Sequence, residues 1–271
     1  MKAKPDYVVV NFSGGKDSTA MLLGMLEKGE RIDEVMNCDT YKEFPEMYRH
    51  IEKIKTLCES RGIKFTTLRN PQTFDFLMFE KEIKRKNPEL EGLKGYSWAG
   101  PRQRWCTARL KIDIIEAYVR QLKEKYNVIQ CIGIAADEQY RLERKGNQQE
   151  GQRYPLNEWG WNEKFCLQYC YDQGYDWGGL YTIFDRVSCW CCPLQSLEEF
   201  RKLYKHFPEL WAELLDMDRR TWRNILKDGI SVEKLQKRFE FEEECQSQGK
   251  SIKSREFFKE LKIRLEETNN E

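Results

Sequence analysis

Ser13, Gly14, Gly15, Lys16, Asp17 and Ser18 follow an apolar β-branched run, "YVVVNF", and lead into helical spacing at Ala20, Leu22, Leu23 and Leu26. Glycines at such a turn let backbone N–H groups converge on an anion, and the start of a helix adds partial positive charge. Lys16 adds a full charge, and Ser13, Ser18 and Thr19 add hydroxyl donors. This is phosphate chemistry. Asp17 among phosphates needs a reason, and a magnesium ion bridging it to phosphate supplies one. The spacing is neither Walker A, since "GGKDST" lacks the four-residue gap, nor G-x-G-x-x-G. The bland reading, a strand–helix turn with incidental polar residues, asks for six suitable residues in a row by coincidence. Lys16 and Asp17 are therefore candidate catalytic residues. Asp137 joins them as a short acid just past a later strand.

A second constellation is built on sulfur. Of ten cysteines, Cys189, Cys191 and Cys192 crowd into "SCWCCP", and Cys106 lies 83 residues before the first of them. Four thiolates from two segments can close a tetrahedral zinc site or hold an iron–sulfur cluster. Adjacent thiolates strain a single zinc and are easier to place across the irons of a cluster. A [4Fe-4S] cluster is therefore favoured narrowly over Zn2+, with Cys191 the least secure ligand. The alternative is buried reduced thiols, the expected state of Cys38, Cys58, Cys131, Cys166, Cys170 and Cys245.

Residues 81–111 carry nine basic side chains against three acids. That excess suits the phosphates of a nucleotide or a nucleic-acid backbone, although "KEIKRK" alone reads as a solvated helix face. Arg102, Arg104 and Arg109, which flank Cys106, are the better candidates. Trp159, Trp161, Tyr169, Tyr171 and Trp177 have the types that stack bases. Aromatics this dense are more often core, and core is expected.

The elements that must position these groups alternate. "YVVVNF", "EVMNCDT", "KFTTL" and "NVIQCIGIAA" read as strands, with helices over Ser18–Lys28, Pro45–Arg61, 74–86 and Thr107–Tyr126 between them. Such alternation predicts an α/β fold: an open, mostly parallel sheet with helices on both faces. The glycine turn, Asp39 and Asp137 then lie beyond carboxyl ends of strands, where open sheets bind ligands. From Ser196 a helical C-terminal region is expected, with a proline-started helix at Pro208 and caps at Ser231 and Ser254. The expected division is 1–195, including the cysteine site, and 196–271. A net charge of +1 speaks against a strongly electrostatic nucleic-acid binder. No apolar run approaches the ~20 residues of a membrane span, and "MKAKPDY" lacks a signal core, so a cytoplasmic protein is expected.

"SGGKDS" resembles the pyrophosphate-binding motif of the adenine nucleotide alpha hydrolases, the N-type ATP pyrophosphatases. Four further segments resemble one branch, the phosphoadenylyl sulfate (PAPS) reductase family: "CDTYKEFPEMYRHI", "RWCTARLKI", "GIAADEQYRLER" and "RYPLNEW". The resemblance spans about residues 7–195. It implies that Ser13, Gly14, Gly15, Lys16, Asp17 and Ser18 hold phosphates and that Asp39 and Glu43 face the adenosine or a metal. It also implies that Gly133, Asp137, Glu138, Arg141 and Arg144 meet the outer phosphate or second substrate. The chain departs from the family pattern at Ala135 and Gln139, where that pattern has arginine and serine. Sulfonucleotide reductases of this family usually degrade the lysine and aspartate of the motif and carry a C-terminal E-C-G cysteine. This chain keeps Lys16 and Asp17 and ends "RLEETNNE", with Cys245 a poor substitute. An intact SGGKDS beside clustered cysteines is similar to the DndC-type branch.

The resemblance implies an enzyme that binds ATP with Mg2+, cleaves it at the α-phosphate and adenylates an acceptor for sulfur transfer. The alternatives are a phosphoadenylyl or adenylyl sulfate reductase, and a non-catalytic nucleotide- or nucleic-acid-associated module. Expected partners are an adenine nucleotide and a nucleic acid or sulfur-donor protein.

Overall fold

The computed structural model describes residues 4–143, 150–223, 225–227 and 229–267. Five strands form one parallel sheet among the described residues: β1 (Asp6–Phe12), β2 (Glu34–Asp39), β3 (Lys64–Arg69), β4 (Asn127–Ile132) and β5 (Gln152–Arg153). Their order is β3-β2-β1-β4-β5. The chain winds outward from β1 to β3 and then returns to place β4 on the other side of β1. The carboxyl ends of β1 and β4 therefore flank the point where the winding reverses, which is where open sheets of this kind hold ligands.

Both faces of the sheet are covered. On one, Val9, Met36, Leu68 and Val128 pack with Val119 of α4 (Asp113–Lys125). On the other, Val10, Phe12 and Val35 are buried, and the Phe12 ring lies 6.2 Å from His50 on α2 (Pro45–Ser60). Strand alternation separates the two sets, and their near-continuous apolar character is what a doubly covered parallel strand requires. A charge is buried in the first face. Glu34 is tolerated there because Tyr7, Thr66, Tyr118 and Lys64 all approach its carboxylate.

Contacts divide the chain into two units, and the division is not a single break after residue 195. The first holds residues 1–73 and 105–189; the second holds 74–104 and 190–271. Besides the sheet, the first unit contains α1 (Lys16–Glu27), α2, α3 (Trp105–Thr107), α4, α5 (Pro155–Glu158), α6 (Glu163–Asp172) and α7 (Leu180–Ile183). The second contains α8 (Leu197–His206), α9 (Pro208–Arg220), α10 (Val232–Ser247) and α11 (Arg255–Glu267). Ser196 caps α8 in a reciprocal box with Glu199, Ser231 accepts the Lys234 N–H, and Ser254 accepts the Phe257 N–H. Its core includes Phe200, Leu203, Trp211, Leu214, Leu235 and Phe239.

Two helices differ from their sequence expectation. Instead of a helix over 74–86 there is one π-turn at Phe76–Glu80. The reason is tertiary. Backbone N–H groups of Gly95, Tyr96 and Ser97 take the carbonyls of Lys81, Leu77 and Met78, and Arg85 bonds the carbonyls of Leu93 and Gly95. A Cβ on Gly95 would fall 1.9 Å from the Met78 carbonyl oxygen, so only glycine permits this approach. The expected helix 107–126 is α3, a π segment at Ala108–Ile112, and α4. No helix of the described residues is long and apolar enough to cross a membrane.

Candidate functional site

The turn after β1 is shaped by what lies behind it. Gly14 has φ +85, and a Cβ there would sit 2.7 Å from Met47 Sδ. Its carbonyl is gripped by Trp177 Nε1 at 2.7 Å and by Thr19 Oγ1 at 3.4 Å. Thr19 in turn meets His50 Nε2 at 3.0 Å. Burial pushes the His50 pKa down to about 3, with Lys53 adding to the shift, so the imidazole is neutral. With that carbonyl held inward, the turn presents its N–H groups on the other side. Helix α1 starts at Gly15, which supplies no side-chain cap, and the Lys16 N–H instead donates to Tyr181 Oη at 2.9 Å, an exchangeable partner at the point where an anion would sit. Ser13 Oγ and Ser18 Oγ lie 3.0 Å apart beside the turn's N–H groups.

Lys16, the first residue of α1, is 8% exposed. Its Nζ contacts Glu163 Oε2 at 2.5 Å and Asp17 Oδ2 at 3.3 Å. Burial works against the ammonium, yet Asp17 and Glu163 outweigh it and hold the Lys16 pKa above the ordinary lysine value. Asp17 shows the opposite balance. Burial pushes its pKa up to about 6 despite Lys16, and the negative Glu163 and Glu138 add to the rise. Asp17 Oδ1 is buried with no hydrogen-bond partner. An orphaned carboxylate oxygen facing phosphate donors fits a cation such as magnesium.

These groups line a cavity of about 200 Å³, with Ser13, Gly15, Lys16, Asp17, Ser18, Gly133, Glu138 and Arg141 of the expected set among its walls. Gly133 lies tight against α1: a Cβ there would approach the Ser18 backbone to 3.0 Å and push it by a few tenths of an ångström. Arg141 is ion-paired to Glu138. Asp137 does not line the cavity; its carboxylate accepts the Glu163 N–H at 3.1 Å and so fixes the first turn of α6. Arg144 lies outside the described residues. Three wall residues, Glu163, Tyr181 and Arg186, carry no signal in the sequence. They are far from the motif along the chain: the packing of α6 on α1 brings in Glu163, while Tyr181, on α7, reaches the Lys16 N–H.

Asp39 and Glu43 are placed elsewhere. Asp39 is fully engaged by the Tyr41 N–H, the Tyr48 hydroxyl and Arg69 Nε. Glu43 Oε1 accepts from Thr40 Oγ1 at 3.1 Å and from the Cys189 thiol at 3.3 Å. Lys111, from the π segment, also belongs here. Burial opposes its charge, but Cys189, Glu43, Cys38 and Cys106 together raise its pKa. Cys106 and Cys189 thus share one ammonium in the first unit, while Cys191, buried, and Cys192 belong to the second. Among the described residues no three His, Cys, Asp or Glu side chains converge as a metal-ligand set. The donor types fit a cluster. Arg85, from the basic stretch, stacks on Trp222 at 4.5 Å, and Arg109 pairs with Asp113 at 2.8 Å. Trp177 is core, as expected; Trp159, Trp161, Tyr169 and Tyr171 are half-buried.

Residues 7–195 match the phosphoadenosine phosphosulfate reductase domain. The chain belongs to the phosphoadenosine phosphosulfate reductase family. Two uncharacterised proteins of Methanocaldococcus jannaschii, MJ0066 and MJ0973, are each 25% identical, over 82% and 81% of this chain. The chain spans about half the length of these curated relatives, 42% and 49%. The U34-tRNA thiolase NcsA from Methanococcus maripaludis, solved with its [4Fe-4S] cluster, aligns at TM-score 0.38 and 15% identity. That alignment covers 80% of this chain and 73% of the other, a likeness too loose to assign chemistry. The family domain contains the whole cradle and ends just past "SCWCCP", so all four candidate cysteines fall inside it, whereas α8 to α11 lie beyond.

Proposed function

We propose that this domain binds an adenine nucleotide through Ser13–Ser18 and cleaves ATP at the α-phosphate, adenylating an acceptor and releasing pyrophosphate. One observation carries the reading: an intact Lys16–Asp17 pair at the head of α1, with the lysine nine-tenths buried and one Asp17 oxygen buried without a partner. In the reaction the acceptor's nucleophile bonds to the α-phosphorus as the bridge to the β-phosphate breaks. Lys16 and the turn's N–H groups stabilise the charge that develops on the leaving pyrophosphate. Asp17 would hold the magnesium ion, which would neutralise part of that charge. The acceptor is a nucleic acid or a sulfur-donor protein, with sulfur transfer as the use of the adenylate.

The experiment is a titration of Mg-ATP, adenylyl sulfate and PAPS against wild type and Lys16→Ala. Mg-ATP is expected to bind tightest and to lose affinity in the variant. The family's own description favours a second reading, reduction of a sulfonucleotide. That reading makes PAPS or adenylyl sulfate tightest, with little effect of Lys16→Ala. Binding without turnover on either substrate would leave a nucleotide-sensing module.

The cysteine set is proposed to bind a [4Fe-4S] cluster, or else Zn2+, through Cys106, Cys189, Cys191 and Cys192. Anaerobic purification with metal analysis tests it. Cys106→Ala, Cys189→Ala and Cys192→Ala are each expected to lose metal, and buried Cys58→Ala to keep it. Full metal in Cys106→Ala would remove the assignment.

A further inference from the structure

The two donors that a phosphate would use most are already taken. The Lys16 N–H donates to Tyr181 Oη at 2.9 Å, and Lys16 Nζ sits on Glu163 Oε2 at 2.5 Å. Neither acceptor is part of the motif. Glu163 is delivered by the first turn of α6, whose start is fixed twice: Asn162 accepts the Phe165 N–H, and Asp137 accepts the N–H of Glu163 itself. The two ends of the Lys16–Glu163 pair differ in freedom. The lysine side chain is only 10% exposed, whereas that of Glu163 is 42% exposed and has solvent to swing into. A buried ammonium needs a counter-charge whether or not a ligand is present.

We propose that Glu163 is a specificity-determining residue, an internal anion that fills the phosphate cradle and must be displaced by the nucleotide. The inference rests on the cradle reading above. A single phosphate or sulfate ion that replaces Glu163 gains little, because its oxygens surround one centre and it chiefly exchanges one Lys16 contact for another. A pyrophosphate group carries several charges and can engage Lys16, the turn N–H groups and the Ser13 and Ser18 hydroxyls together. Glu163 therefore filters for polyphosphate chains against single phosphate or sulfate ions. Asp137 acts through it as a positioning residue, because it holds the α6 turn from which Glu163 reaches.

Calorimetric titration with inorganic pyrophosphate and with inorganic phosphate, in metal-free buffer, tests this. Wild type is expected to bind pyrophosphate and to bind phosphate far more weakly. Glu163→Gln keeps the shape and removes the charge. It is expected to bind pyrophosphate about tenfold tighter, the scale of one charged contact, and to narrow the preference over phosphate. Glu163→Asp keeps the charge but shortens the reach, and is expected to fall between the two. Equal or weaker pyrophosphate binding by Glu163→Gln, with an unchanged melting temperature, overturns the inference. Lys16→Ala separates the two ideas: if it leaves pyrophosphate affinity intact, the cradle reading itself fails. If it weakens binding while Glu163→Gln changes nothing, only the filter fails.

Discussion

Carboxylates are treated in opposite ways at the head of α1 and in the helical core of the second unit. In the second unit, Glu242 is 2% exposed and receives Arg201 Nε at 2.6 Å and Arg238 Nε at 2.8 Å. Asp218, equally buried, receives Trp98 Nε1 at 2.6 Å and the Val232 N–H at 2.8 Å, one on each oxygen. In the first unit, Asp17 keeps one buried oxygen with no partner and a pKa raised to about 6 by burial. The first pattern is how a helical core tolerates charge. The second stores an electrostatic cost at the candidate site, which a cation, if one binds there, would relieve.

The comparison is broken most severely by removing a paired charge. Glu242→Ala leaves two arginines facing each other in a buried site and is expected to destabilise by about 3–5 kcal/mol. Thermal or denaturant unfolding reads it, and a loss under 1 kcal/mol would mean that the pairing is idle. Next is Lys16→Ala, which takes the ammonium from Asp17 and Glu163 and so lowers stability, though less than Glu242→Ala because both carboxylates are partly exposed, and which should weaken Mg-ATP by roughly 1.5–3 kcal/mol, tenfold to a hundredfold. Ser13→Ala should be milder, since the turn N–H groups remain.

Asp17→Asn carries the opposite sign. The folded pKa of Asp17 lies above its unfolded value of 3.8, so its stability contribution is present below pH 4 and lost as pH rises through about 6. At pH 7 the buried charge is a burden, and its removal should stabilise the ligand-free protein by on the order of 1–2 kcal/mol, given the partial exposure of the side chain. The same variant should lose magnesium dependence of nucleotide binding. A lower melting temperature in Asp17→Asn at pH 7 would show that Lys16 needs this partner more than burial penalises it.

The smallest effect is at His50. Its folded pKa of about 3 lies below the unfolded 6.5, so its contribution is present above pH 6.5 and is lost as pH falls toward 3. Between pH 7 and pH 6 the loss is under about 1 kcal/mol. His50→Gln should flatten that slope in a pH series of melting curves, whereas an unchanged slope would assign the acid sensitivity elsewhere. His50 and Asp17 act in opposite directions between pH 4 and 6, so the two variants should diverge there.

Local chemistry made much of this readable. The strands β1 to β4 follow from β-branched apolar runs, and the caps at Ser196, Ser231 and Ser254 from hydroxyls that compete for the first N–H groups of a helix. The cradle from Ser13 to Ser18 was legible because strand, glycine turn and helix head are contiguous and their periodicities change at the turn. The segment 74–86 was not, because backbone groups of residues 95–97 take the carbonyls that its own helix would have used. The same limit applied to β5, two residues long, whose pairing is set by β4 rather than by its own composition.

What the sequence determined by itself was strands β1 to β4, their parallel alternation with helices and the residues that could meet a phosphate, since all of these arise from neighbours along the chain. Only the tertiary structure decided what those residues meet. Glu163 lies 147 residues from Lys16 and Tyr181 lies 165, and both arrive from segments packed around the head of α1. Asp39 is held by the Tyr41 N–H, the Tyr48 hydroxyl and Arg69 Nε, and Glu43 accepts from the thiol of Cys189, 146 residues away. A side chain's type limits the partners it can take, but which of them it finds depends on contacts across the fold that no local pattern encodes.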